Sequence, residues 1–492
     1  MRAVRTAIAR IVGFFRSLFG GEDQAPAGWV EIDVDDSVAA LDGIEHVVVL
    51  MLENRSFDHM LGYLGLEENG PDVDGLQPGM ANEHEGRSYP IFRLERTAST
   101  KAQDPCHSGA CVDEQVAGGN GGFAANYIKT REDPAAAEPV VVMGHYDGEQ
   151  LPIYDFLARH FKVCDRWFCS LKGATFPNRL YAVAGRSAGS RDNASPPVYH
   201  LPSFVRHLDA AGAGWRWYTH EVFATIWAID RNYVPKTFDN VRPFSSGVTA
   251  DDFFSAARDG KLAAVSWIDP NFVDIGGAVG SNDDHPPSDV RAGQELVLKV
   301  FNALARSPAW ERTLLVITYD EHGGFFDHVE PPAAEDDDPR PEFHSYGPRV
   351  PTIIVSPRVR AGISHELFDH TSIIKTCLAR FCRREGGLIP DMGARVNAAN
   401  HLGLLLEQDA ATPPPDEATL QQLASALGDW KADSLRAEVR VQSKAVAPDP
   451  VVLTDFQEDY LASRQAVLDS LTPEERARAL TALGTTEPSS RR

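Results

Sequence analysis

His46-Val47-Val48-Val49-Leu50-Met51-Leu52-Glu53-Asn54 is the stretch from which the fold is read. After His46 the run is apolar without alternation and stops abruptly at an acid. That is the pattern of a strand covered on both faces, as in a parallel sheet between helices. Outward from it, Val265-Ser266-Trp267-Ile268, Leu314-Leu315-Val316-Ile317-Thr318-Tyr319 and Thr352-Ile353-Ile354-Val355 repeat the pattern. Helical periodicity at 152–160 and 292–306 falls between these runs, and that at 371–381 follows the last of them. Strand alternating with helix predicts an α/β fold with a mainly parallel sheet flanked by helices. Gly- and Pro-rich stretches at 70–90, 118–122 and 276–287, and the acidic stretch 335–341, read as loop insertions. In such a fold they sit over the carboxyl ends of the strands, where ligands bind.

The ends of the chain differ from this middle. Residues 1–21 carry Arg2, Arg5, Arg10 and Arg16, no acid, and apolar bulk from Ile8, Ile11, Val12, Phe14, Phe15, Leu18 and Phe19. The arginines interrupt any signal-peptide core. A basic amphipathic helix in a membrane interface is one reading, and a frayed or protein-docked terminal helix is the other. Residues 22–40 read as a polar linker, 41–403 as the main domain, and 404–492 as a helical C-terminal extension. In that extension a Pro413-Pro414-Pro415 break precedes helical stretches near 417–427, 455–471 and 473–483. The extension is expected to be peripheral or to mediate oligomerisation. No run of about 18 apolar residues marks a transmembrane helix. The compartment stays open between membrane-associated and exported.

The 492 residues are 43% hydrophobic, enough for a packed core, and carry a formal net charge of -23. Nucleic acid is disfavoured as a partner, because phosphate backbones are held by Lys and Arg. A small anionic substrate remains compatible, since a cation can invert the field inside a cleft. Six cysteines fall into three pairs, Cys106 with Cys111, Cys164 with Cys169, and Cys377 with Cys382. Six reduced, mostly buried thiols are expected, with three local disulfides as the alternative.

Chemistry concentrates at strand ends. Glu53-Asn54 offers two oxygen ligands for a hard cation, although the pair read alone equally suits a helix cap. Asp320-Glu321 follows a second apolar run and precedes Gly323-Gly324. Adjacent acids at a buried strand end repel each other unless a cation joins them. Thr175 lies in Gly173-Ala174-Thr175-Phe176-Pro177-Asn178-Arg179, where Pro177 suits a helical first turn and Thr175 falls at or near the N-cap. The positive end of a helix, or a metal ion, would make its hydroxyl nucleophilic; an ordinary capping threonine is the alternative. His107, His285, His328 and His370 lie in acidic or Pro-bounded segments and are candidate proton donors and phosphate ligands.

These segments resemble the bacterial phosphoesterase family that contains phospholipases C and acid phosphatase A, part of the alkaline phosphatase superfamily. The resemblance rests on Glu53-Asn54-Arg55-Ser56-Phe57-Asp58-His59, on Cys164-Asp165-Arg166-Trp167-Phe168-Cys169-Ser170 with Thr175-Phe176-Pro177-Asn178-Arg179, on Asp284-His285-Pro286-Pro287, and on Tyr319-Asp320-Glu321-His322-Gly323-Gly324-Phe325-Phe326-Asp327-His328, in the family's order. It implies an alkaline-phosphatase-like fold and one or more divalent metal ions (calcium, magnesium or manganese) held by Glu53, Asn54, Thr175, Asp320 and Glu321. It implies Thr175 as nucleophile, as in the phospholipase C branch, where the acid phosphatase branch has serine. His107 and His285 would be the site histidines, with His322, His328 and His370 around them.

The expected activity is phospholipase C hydrolysis of phosphatidylcholine-type lipids through a phosphothreonine intermediate. The alternatives are an acid phosphatase acting on soluble phosphomonoesters and a catalytically silent binding protein of the same fold. A sulfatase is disfavoured by the lack of a Cys-x-Pro-x-Arg motif. A phospholipid or phosphomonoester is the expected partner, with peripheral membrane contact through the N-terminal helix.

Overall fold

The computed structural model describes residues 28–98, 104–131, 139–220, 223–244, 252–273, 281–407, 412–428 and 455–484. The amphipathic helix expected at 1–21 lies outside these residues.

The core is an eight-stranded sheet. Its strands are β1 (His46–Leu52), β2 (Lys162–Cys164), β3 (Trp215–Thr219), β4 (Val241–Pro243), β5 (Val265–Ile268), β6 (Thr313–Tyr319), β7 (Ile353–Val355) and β8 (Gly362–Ser364). They lie in the order β4-β3-β5-β1-β6-β7-β2-β8. β7 runs antiparallel to both of its neighbours, and every other pairing is parallel. The α/β class and the mainly parallel sheet expected from the sequence are therefore what the chain forms.

All seven residues of β1 and all seven of β6 are buried. Burying each Val or Leu side chain contributes about 1.5–3 kcal/mol, so these two strands dominate the middle of the sheet. Their register pairs His46 with Thr313 and Leu52 with Tyr319. Glu53 and Asp320 therefore leave the sheet side by side.

The helices that position the site are α1 (Gly109–Asn120), α2 (Pro152–His160), α3 (Thr175–Ala184), α4 (Thr225–Ile229), α5 (Val290–Ala305) and α6 (Thr371–Phe381). Pro152 opens α2, where its missing N–H costs nothing. Asp289 caps α5 by accepting from the Arg291 amide. Every residue of α3 is buried, which marks it as an interior helix.

Three expectations need correction. Residues 29–40 are docked to the domain. Trp29–Glu31 pairs antiparallel with Leu388–Pro390, and Asp35 caps the helix Asp36–Ala40, which buries Val38. Their apolar residues are sparse because only one face is covered, so the sequence reads as a linker. Within 70–90, Ala81–His84 and Arg87–Pro90 form a hairpin. The C-terminal extension is helical at α7 (Glu417–Ala426), α8 (Asp455–Asp469) and α9 (Pro473–Ala482), but it is not peripheral. α8 packs on α4, α9 packs against β4, and Tyr460 on α8 is buried.

Candidate active site

Glu53, Asn54, Asp320 and Glu321 occupy the carboxyl ends of the adjacent strands β1 and β6, and all four are fully buried. The backbone bonds them together. The Asp320 amide donates to the Leu52 carbonyl at 3.1 Å and the Arg55 amide to the Glu321 carbonyl at 3.1 Å. Asp320 Oδ1 accepts from the Asn54 amide at 3.2 Å and from the Glu321 amide at 2.7 Å.

Asn54 has a φ of 58°, a left-handed conformation that asparagine tolerates better than most residues. Gly323, with φ 64°, turns the β6 exit back against it, and a Cβ there would meet the Asn54 carbonyl oxygen at 2.2 Å. No other residue fits that approach.

Thr175 is the first residue of α3; Ala174 is the N-cap and makes no side-chain cap bond. The threonine hydroxyl is thus not spent on capping its own helix. It lies 3.4 Å from Asn54 Oδ1. One turn further along, Arg179 Nε donates to Asp320 Oδ2 and Arg179 NH2 to Glu53 Oε1, both at 3.1 Å.

The electrostatics are unbalanced. Three buried carboxylates face one guanidinium. Burial, and then the neighbouring Asp320 carboxylate, holds Glu53 well above the usual carboxylate range. Burial likewise raises Asp320. Burial also works to raise Glu321, but the imidazoles of His107 and His322 outweigh it and bring the group down. Glu53 Oε2 and Glu321 Oε1 are buried without a hydrogen-bond partner among the described residues.

Among those residues, no three His, Cys, Asp or Glu side chains are drawn together tightly enough to hold a metal by themselves. The five-residue set expected from the sequence also includes Asn54 and Thr175, and Arg179 holds one oxygen each of Glu53 and Asp320. An all-oxygen donor set, excess negative charge and two orphaned carboxylate oxygens fit a hard divalent cation.

Of the histidines, His107 and His285 meet edge to face with ring centroids 5.9 Å apart. His107 is partly exposed and forms the rim; its Nδ1 lies 3.4 Å from Asn54 Nδ2. Burial works to lower His107, but Glu321 and Asp104 outweigh it and raise it. Burial lowers His285. His322 Nδ1 lies 3.2 Å from Glu321 Oε2, and its Nε2 is 2.9 Å from Gln115 Oε1. His370 sits behind the site, with Nε2 2.6 Å from the Asp320 carbonyl and Nδ1 accepting from Trp167 Nε1. Burial lowers its imidazole to about 4.

His328 does not join them. It bonds Asp58 at 2.7 Å and Asp74 at 3.0 Å, in a network where Arg349 pairs with Asp58 and Asp327. The His328 motif continues past the Gly323-Gly324 turn, which carries it away from the strand ends.

The cysteine expectation is also corrected. Cys106 and Cys111 form a disulfide, whereas Cys164, Cys169, Cys377 and Cys382 are free and buried. The closed loop contains His107. It is tied down by Gln115 Nε2, which donates to the Cys106 carbonyl at 2.7 Å, and by Gly324, where a Cβ would meet that carbonyl at 2.7 Å.

Two residues of the site escape a reading of the sequence. Arg179 is one. Asp269 is the other: it ends β5 and accepts from Trp217 Nε1 at 2.7 Å and from the Thr225 amide at 2.9 Å. It carries the signal that marked Asp320, an acid directly after an apolar run.

The sequence matches the phosphoesterase family over residues 44–382. It is 35% identical over 335 residues to the non-specific phospholipase C6 of Arabidopsis thaliana, covering 65% of this chain and 62% of that protein. It is 33% identical to the non-specific phospholipase C1 of the same plant, covering 68% of this chain and 66% of that one. The chain thus spans less than two thirds of the length of either plant relative. It is 31% identical over 432 residues to phospholipase C B of Mycobacterium tuberculosis, covering 77% of this chain and 80% of that protein. A solved structure of a protein in the alkaline phosphatase superfamily from Vibrio parahaemolyticus overlaps 83% of this chain and 97% of its own at 10% identity. The TM-score of that overlap is 0.32.

Proposed function

The chain belongs to the phosphoesterase family, and on that premise we propose that it is a metal-dependent phospholipase C-like phosphodiesterase with Thr175 as its nucleophile. The observation that carries this reading is the buried meeting of the Thr175 hydroxyl with Asn54, beside the carboxylates of Glu53, Asp320 and Glu321. The names of the plant and mycobacterial relatives support the diester substrate.

A divalent cation held by Glu53, Asn54, Thr175, Asp320 and Glu321 would supply charge neutralisation for a phosphate oxygen and a lower pKa for the hydroxyl. Thr175 Oγ1 gives up its proton to solvent and attacks phosphorus, and the bond from phosphorus to the glycerol oxygen breaks. His107 and His285 hold the remaining phosphate oxygens. His107, at the rim, is better placed to protonate the departing diacylglycerol alkoxide, a role worth about 10²–10⁴-fold. Water then attacks phosphothreonine, releasing the phospho-alcohol and restoring the hydroxyl. Arg179 keeps Glu53 and Asp320 apart and in place throughout. The basic, apolar segment 1–21 provides contact with the lipid interface.

The test is a substrate panel run with metal-stripped and metal-restored protein. Phosphatidylcholine should yield diacylglycerol only after restoration, and Thr175→Ala should abolish it. Full turnover by a folded Thr175→Ala protein sinks the mechanism. Release of inorganic phosphate from p-nitrophenyl phosphate, with its choline diester untouched, moves the reading to an acid phosphatase.

A further inference from the structure

Tyr460 stands on α8, beyond the span that matches the family. It is nevertheless buried, and its ring meets Phe223 at 5.5 Å and Phe272 at 5.0 Å between centroids. Its hydroxyl donates to the Phe223 carbonyl. Phe272 in turn faces the Arg179 guanidinium, 5.0 Å from ring centroid to carbon. One end of a continuous run of ring contacts is therefore a C-terminal tyrosine, and the other end is the arginine that holds Glu53 and Asp320.

The run is anchored at both sides. Asp269, three residues before Phe272, is fixed by Trp217 and Thr225. Ser463, one turn after Tyr460, donates to the Pro197 carbonyl at 3.0 Å. Arg179 has two carboxylates and the Met51 and Leu52 carbonyls on its Nε and NH2, but its NH1 has no hydrogen-bond partner among the described residues, and the ring of Phe272 lies over the guanidinium as a further restraint. Guanidinium–ring contacts are stronger when desolvated, as here.

We propose that Tyr460 is a positioning residue for the candidate centre: it backs Phe272, which orients Arg179 and so sets the spacing of Glu53 and Asp320 for a divalent cation. This rests on the cation-binding reading given above. The hydroxyl of Tyr460 is raised chiefly by burial and then by the Asp269 charge, with Arg179 and Glu53 also in electrostatic range. The C-terminal extension would then support a centre whose candidate cation ligands all come from residues 53–321.

The experiment compares full-length Tyr460→Leu and Tyr460→Phe with wild type. Melting temperature is followed during Mn²⁺ titration, and turnover is followed on p-nitrophenylphosphorylcholine. Leucine keeps apolar volume so that α8 stays docked, and phenylalanine keeps the ring. Tyr460→Leu should raise the Mn²⁺ concentration for half-maximal stabilisation by about 3–10-fold, at or below the low end known for outer residues of metal sites. Tyr460→Phe should stay near wild type in that midpoint. A Tyr460→Leu midpoint equal to wild type overturns the proposal. So does an equal shift in both variants, or a Leu variant too unstable to purify, because the residue then serves the fold alone. A wild-type protein that responds to none of Mn²⁺, Ca²⁺ and Mg²⁺ removes the premise together with the proposal, whereas a responsive wild type with an unshifted Leu variant removes the proposal alone.

Discussion

Thr175 and Arg179 stand one turn apart on α3, and each meets a different arm of the centre. Thr175 Oγ1 lies 3.4 Å from Asn54 Oδ1, and Arg179 reaches Glu53 and Asp320 at 3.1 Å each. Spacing of i and i+4 puts both side chains on one helical face. A single rigid element thus presents the hydroxyl and restrains the acids beside it.

Replacing Arg179 by Met should leave two buried acids without their counter-charge, a change that costs about 3–5 kcal/mol in comparable buried pairs. The melting temperature should fall, and added Mn²⁺ should restore more of it in the variant than it adds to wild type. Differential scanning fluorimetry with and without the metal checks both parts. An unchanged melting temperature would contradict the role given to Arg179.

Gly323→Ala tests the turn against Asn54. The new Cβ would come within 2.2 Å of the Asn54 carbonyl oxygen at a φ of 64°, so stability should drop by about 1–3 kcal/mol. A displaced Asn54 should also lower kcat by about 100-fold, as ångström-scale misplacement does. Gly386→Ala is the control. It has a φ of 78° with no atom within 4 Å of the added Cβ, so it should show only the left-handed backbone penalty of about 1–2 kcal/mol and keep full turnover.

Opening the Cys106–Cys111 loop should loosen His107. A closed ring this short constrains the unfolded chain by about 2 kcal/mol, and the loss should appear in urea unfolding of Cys106→Ser/Cys111→Ser. Turnover should fall on reduction with a dithiol and recover on reoxidation, while the four buried thiols stay unreactive in the native state. Retention of full turnover after complete reduction, scored by thiol titration, would show that Gln115 and Gly324 suffice to hold the loop.

His328 makes stability fall at alkaline pH. Burial works to lower this imidazole, but the hydrogen bond and charge of Asp58 outweigh it and raise it to about 9. A raised histidine contributes fully below its unfolded value of about 6.5, and its contribution is lost as pH climbs through about 9. His207 works in the opposite sense. Burial lowers it to about 4, so the unfolded chain takes up the proton first and stability falls as pH drops from about 6.5 towards 4. Melting temperature should therefore peak near neutrality. His328→Gln should flatten the alkaline limb and leave the acidic one unchanged.

The parts of this site that could be read from the sequence are those where local pattern and global position coincide. Glu53-Asn54 and Asp320-Glu321 end runs so apolar that the strands could not lie anywhere but the centre of the sheet. Arg179 stands in one of the motifs that carry the resemblance, but its role depends on two strand ends more than a hundred residues away on either side, and no local pattern assigns that role. Asp269 carried the right signal, but its strand is short and contains a serine and a tryptophan. Tyr460 was out of reach altogether: its meaning depends on Phe272, with which it shares no periodicity or motif. The strand Trp29–Glu31 and the 81–90 hairpin leave little trace in the sequence because they are short and half-covered, and the Cys106–Cys111 bridge leaves none because identical spacing at the other two pairs produces no bond.

β4 is the outermost strand at its end of the sheet, and α9 lies against it, with Gly484 abutting Pro243. Cutting the chain at residue 382, where the family match stops, would remove α9 from beside β4, whose outer edge has no strand partner among the described residues. Such a margin recruits strands from neighbouring molecules. A truncated protein would thus precipitate through edge-to-edge association even with every residue of the candidate centre present, so the boundary for expressing a soluble unit lies about a hundred residues beyond the boundary of the matched sequence.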